Sequence, residues 1–137
     1  MRQSGNIFLL ATLFVFAGLT HFVIPGPYAS IVPPWIPNHL GLVYVSGALE
    51  IVGGIALVVP ALRRPAGICL MILLVAVFPA NVQMLLNALE RGASATTLAV
   101  LWLRLPLQPL LMLWLYRTTV ARATTYHVAT GDGGAAP

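Results

Sequence analysis

The sequence predicts an all-α membrane protein, a four-transmembrane-helix bundle with both termini in the cytoplasm. Three observations carry this reading. Hydrophobic residues fill 59% of the 137 positions and charged residues only 7%, where soluble domains hold about 25% charged. Four apolar runs, residues 6–23, 40–59, 65–86 and 98–116, each have the roughly 17–25 residues needed to cross a hydrocarbon core of about 30 Å. The arginines fall mostly on one side: Arg2, Arg63, Arg64, Arg117 and Arg122 would lie inside, only Arg91 outside, and Arg104 within a span, the bias that sets orientation.

The first run, from Asn6 to Val23, has only Arg2 as a positive end and no small-x-small cleavage site, so it reads as a span and not as a signal peptide. The connection Ile24–His39 holds five prolines, which exclude a regular helix across it. Its apolar residues, with Tyr28 and Trp35 as amphipathic anchors, suit either a stiff interfacial loop or a lid over the outer mouth of the bundle. The second span, 40–59, is closed by Pro60. Pro65 suits the first turn of the third span, 65–86, where its missing N–H is not needed. Pro79 interrupts that span, and Pro106 and Pro109 interrupt the fourth, 98–116; each frees a backbone carbonyl nearby. Residues 1–117 thus form a single transmembrane domain, and 118–137, polar and small, read as a flexible cytoplasmic tail.

The formal charge of +4 comes from seven arginines against three acids. Only Arg63 and Arg64 are adjacent, so no basic stripe for nucleic acid exists, and attraction of short loops to anionic lipid explains the charge better. Cys69 is the single cysteine. It can form no internal disulfide and no Cys-x-x-Cys site, and its apolar neighbours Ile68, Leu70 and Met71 point to a packing role.

The informative residue is Glu50, in the middle of the second span. A carboxylate at that depth is costly and usually faces a bundle interior or cavity with a partner. His21, Asn81, Arg104 and Gln108 supply candidates from the other three spans. At about 1.5 Å per residue these groups lie between roughly 13 Å (Gln108) and 24 Å (His21) from the cytoplasmic side. The cytoplasmic half is almost wholly apolar. Gly47, Glu50 and Gly54 share a stripe, as do Phe14, Ala17, Gly18 and His21, and small residues let backbones approach. Ser46, four residues before Glu50, is placed to donate its hydroxyl to the carboxylate. The plain readings are a Glu50–Arg104 ion pair fixing helix register, an Arg104 that snorkels outward, a His21 bonded to water or the proline loop, and Asn81 and Gln108 as interhelical glue. Their common depth predicts one ligand-binding polar pocket of His21, Glu50, Asn81, Arg104 and Gln108, with no catalytic residue and no metal site.

Four motifs, Gly18-Leu-Thr-His-Phe22, Val32-Pro-Pro-Trp-Ile-Pro37, Ser46-Gly-Ala-Leu-Glu-Ile-Val-Gly-Gly54 and Phe78-Pro-Ala-Asn81, resemble the DoxX-like family of small bacterial integral membrane proteins. The resemblance covers about Gly18 to Asn81, with a looser match through the fourth span. It implies a four-helix protein of the bacterial inner membrane and no settled activity. The family takes its name from a subunit associated with thiosulfate:quinone oxidoreduction, some relatives are linked to membrane redox complexes, and distant animal relatives act as assembly factors for receptor channels. Relatives of the methylamine-utilisation type resemble thiol oxidoreductases, a variant that the lone Cys69 rejects.

Two functions follow as expectations. The first is a redox-associated accessory, not an enzyme on its own, that binds a quinone-like or other lipophilic small molecule in the outer-half pocket. With no haem-ligand pair or metal cluster in the sequence, its electrons would come from a membrane or peripheral oxidoreductase partner. The second is a non-catalytic scaffold or assembly factor for another membrane protein. A proton or solute pathway ranks third, since the inner half looks sealed and no inverted repeat is visible. The cofactor is open beyond a quinone, the lipid bilayer is the expected surrounding, and a homo-oligomer is compatible with either reading.

Overall fold

Helices in a membrane must satisfy their own backbone groups, and apolar runs of this length do so as four long rods. In the computed structural model, which describes residues 2–121, these are α1 (Arg2–Val23), α3 (His39–Val58), α4 (Arg63–Glu90) and α5 (Ala95–Thr119). All four are long and apolar enough to cross a membrane. One short helix, α2 (Pro25–Ala29), lies in the proline-rich connection. The prolines that exclude a long helix there permit this single turn, because Pro25 and Pro27 fall where N–H groups have no intrahelical acceptor. No strand is present among the described residues.

The ends of the helices follow local chemistry. Asn38, at φ 56°, caps α3, its side chain accepting from the Gly41 N–H at 3.2 Å. Val59 is extended (ψ 115°) ahead of Pro60, and α3 stops there. Arg63 Nε donates to the Leu57 carbonyl at 3.0 Å, serving one of the last carbonyls of α3. Gly92, at φ 62°, turns the chain out of α4, and Ser94 caps α5 by accepting from the Thr97 N–H. α4 and α5 run through Pro79, Pro106 and Pro109 unbroken. Each helix outlasts the expected span by one to four residues at an end, α4 by four at Glu90. α5 reaches Thr119, so the first residues of the expected tail are helical. Thr118 and Thr119 are buried and donate to the Trp114 and Leu115 carbonyls. Residues 122–137 of that tail lie outside the described residues.

The four spans alternate in direction. The 24–38 and 91–94 connections share one end, and the 59–62 turn shares the other with the start of α1 and the end of α5. α1 packs chiefly on α3, and α4 on α5; α3 and α4 join the two pairs, while α1 barely meets α5. Glycines set the first seam. A Cβ on Gly18 would lie 2.6 Å from the Gly47 carbonyl oxygen, and one on Gly54 3.0 Å from that of Ala11. Only glycine permits that approach.

Ile7, Leu10, Leu57, Leu70 and Leu115 are almost fully buried and form a dry plug at the chain-terminus end. Outward faces carry large apolar side chains such as Phe16, Val52, Ile72 and Trp102, as a surface against lipid requires. Cys69 belongs to that outward set: it is exposed on α4 and not packed inside. The plug fills one end, and the cavity lies toward the other, where the polar residues are.

Candidate functional site

A cavity of about 490 Å³ occupies the loop-end half of the bundle, between the α1–α3 pair and the α4–α5 pair. Phe14 and Leu74 form its floor against the plug, and Tyr28, Ile31 and Val32 from the proline-rich connection reach over its mouth. Its walls are mostly aliphatic. All five residues expected from the sequence line it: His21, Glu50, Asn81, Arg104 and Gln108.

They form two groups. On one wall, His21 of α1 and Glu50 of α3 are both 8% exposed, with His21 Nδ1 3.6 Å from Glu50 Oε2. His21 Nδ1 also lies 2.8 Å from the Ala17 carbonyl oxygen. A carbonyl can only accept, so this contact assigns the ring proton to Nδ1. Tyr28 stacks on the imidazole, with centroids 4.0 Å apart and planes at 21°, and its hydroxyl pairs with Thr20 at 2.6 Å. Glu50 Oε2 is buried and receives no hydrogen bond from any protein group among the described residues. Such an oxygen costs about 1–3 kcal/mol or more if left unmet.

On the facing wall a chain of donors and acceptors crosses from α5 to α4 and back. Arg104 Nε donates to Asn81 Oδ1 at 3.0 Å, Asn81 Nδ2 donates to Gln108 Oε1 at 2.6 Å, and Gln108 Nε2 donates to the Leu74 carbonyl. Every amide oxygen in the chain accepts and every amide nitrogen donates, which fixes both amide orientations. Gln108 is buried, whereas Arg104 sits at the exposed rim with further N–H donors to spare.

Several expectations are revised. The acid's neighbour at ion-pair distance is His21 and not Arg104: among the described residues, His21–Glu50 is the one such contact within 4.0 Å. Arg104 spends its Nε on Asn81 because the two stand at nearly equal depth on adjoining helices. Ser46 does not serve the carboxylate; its hydroxyl bonds back to the Val43 carbonyl at 2.9 Å, the local bond serine favours inside helices. Residues of the proline-rich connection divide between the surface and the cavity. Trp35 is 75% exposed, while Tyr28, Ile31 and Val32 line the cavity. Asn87 Nδ2 ties that connection to α4 through the Ser30 carbonyl at 3.1 Å. Tyr28 is the residue sequence reasoning missed as a site member. Its one signal was a tyrosine seven residues after His21, in a segment too rich in proline to run straight away from the helix end.

Chemically, the cavity offers a carboxylate oxygen and an imidazole on one side, guanidinium N–H donors on the other, and hydrocarbon between. That composition suits a ligand with an apolar body and one or two polar atoms. No curated protein and no solved structure matches the chain. A family model described as "Domain of unknown function (DUF8561)" matches residues 10–119, which span all the cavity's lining residues, and the chain belongs to that family.

Proposed function

We propose that this protein is a redox-associated membrane accessory that binds a lipophilic small molecule of quinone-like kind within its four-helix bundle. The observation that carries the binding reading is the cavity itself: about 490 Å³, within the range of about 300–1,000 Å³ usual for small-molecule sites, mostly apolar, with polar groups on opposing walls. The redox association rests on the motifs that resemble the DoxX-like family, as does placement in a bacterial inner membrane with both chain ends in the cytoplasm. Electrons would come from an oxidoreductase partner, and the chain's own residues would hold and orient the ligand.

A competing reading, a scaffold that packs its small-residue stripe against another membrane protein, loses its main support. Gly18, Gly47 and Gly54 are consumed in the α1–α3 seam and offer no free face.

Saturable binding to protein in lipid nanodiscs tests the proposal, with short-tailed benzoquinones and naphthoquinones in both oxidised and reduced forms as probes and empty nanodiscs as the reference. Saturation at one equivalent, weakened about tenfold or more by Gln108→Ala or His21→Ala, is expected, since about 1.4 kcal/mol corresponds to one decade. Uptake equal to that of empty nanodiscs would end it.

A further inference from the structure

Resting on the reading of the cavity as a ligand site, we infer that its ligand presents a neutral hydroxyl that donates a hydrogen bond to the Glu50 carboxylate. A bare carbonyl or ether would not meet this requirement. Glu50 is more than nine-tenths buried and lines the cavity, and no hydrogen bond among the described residues reaches its carboxylate, whose Oε2 is sealed from solvent. His21 does not fill that role. Its Nδ1–H is directed to the Ala17 carbonyl at 2.8 Å, and Oε2 stands off at 3.6 Å. Ser46, the nearest hydroxyl along α3, is turned to Val43. An ionised Glu50 only accepts, so in that state what enters beside it is selected for a donor.

Charge narrows the class further. A carboxylate-headed lipid would place a second anion against Glu50 in a setting of low dielectric. A cationic head would face Arg104 across the same cavity. A neutral hydroxyl avoids both penalties and keeps lone pairs to accept from the guanidinium. The aliphatic walls then take a ring or tail. For a quinone-like ligand the consequence is specific: the site favours the reduced, hydroxyl-bearing ring over the oxidised one, whose oxygens only accept.

The test compares a 4-alkylphenol with its O-methyl ether, matched in tail, on the full-length protein in nanodiscs against empty nanodiscs. Expected is an affinity at least about tenfold higher for the phenol, the scale of one hydrogen bond to a charged group, with the ratio falling to near one in Glu50→Leu. Isotope-edited infrared spectroscopy of the unsubstituted protein gives a second readout that needs no variant: the Glu50 carboxylate stretch shifts with the phenol and stays put with the ether. Equal affinities, or a tighter ether, overturn the hydroxyl inference and leave the cavity reading standing. Failure of both probes to bind saturably overturns both.

Discussion

His21 Nδ1 and Glu50 Oε2 lie 3.6 Å apart across the α1–α3 seam, the only place among the described residues where a base and an acid come within 4.0 Å. The contact exists because the backbones beneath it are close. A Cβ on Gly47 would sit 2.7 Å from the Cβ of His21, so the glycine one turn before the glutamate lets the imidazole pass over α3. Packing and polar chemistry are therefore coupled at this point.

That coupling makes the pair non-additive. His21→Ala removes both the imidazole beside the acid and the surface on which Tyr28 stacks, and it should destabilise the folded protein by about 3 kcal/mol, in the range for truncating a buried ring to alanine. His21→Leu with Glu50→Leu should cost less than the two single changes summed, because apolar replacement of a buried pair is often neutral. Unfolding titrations with SDS in mixed micelles measure His21→Ala, the two leucine single variants and their double; additive costs in the leucine cycle would show that the two side chains do not interact.

The α1–α3 seam should tolerate no side chain. Gly18→Val and Gly47→Val should each destabilise by about 2 kcal/mol or more, in the range for overpacking, while Gly5→Ala and Gly26→Ala, where a Cβ meets nothing within 4 Å, should be near neutral. Thermal stability followed by size-exclusion chromatography separates the two sets.

On the opposite wall, Asn81 and Gln108 should couple by about 0.6–1.7 kcal/mol in a double-mutant cycle to alanine, the span measured for hydrogen bonds between membrane helices. Each side chain makes two bonds, but Gln108→Ala should cost more than Asn81→Ala, since Gln108 and its bond to the Leu74 carbonyl are buried whereas the second partner of Asn81, Arg104, is exposed. A coupling of zero would contradict the observed Asn81–Gln108 bond.

The roof of the cavity should be shielded on one side only. In a Cys69→Ser background, Ile31→Cys should react with a water-soluble maleimide several-fold more slowly than Trp35→Cys. Adding Asn87→Ala, which releases Ser30, should narrow the gap. Equal rates would mean that the proline-rich connection does not cover the mouth.

Much of this was legible in the sequence, and the divide between what was and was not has a physical reason. Span length and polar depth are set along each helix axis by a fixed rise per residue, so the four spans and the shared depth of the five polar residues could be read from residue positions. Pairing across helices depends on rotation and on which helices adjoin, which no single segment encodes. Hence Glu50 was matched with Arg104 by charge, whereas the glycine seam brings His21 to it and adjacency gives Arg104 to Asn81. Ser46 and Cys69 mislead for a related reason. A hydroxyl one turn from an acid still has a backbone carbonyl nearer, and apolar neighbours in sequence describe a lipid-facing thiol as well as a packed one.

The inward turn of Glu50 supports the pocket and everything proposed for it. Solid-state NMR dipolar recoupling measures it in a bilayer, with ¹³C in the Glu50 side chain, ¹⁵N in the histidine rings and Glu90→Gln to leave one glutamate signal. A separation between the Glu50 carboxyl carbon and His21 Nδ1 within about 5 Å is expected, the 3.6 Å contact plus one C–O bond. Absence of dephasing at that range, with the carboxyl carbon instead showing contact with lipid acyl chains, would contradict it.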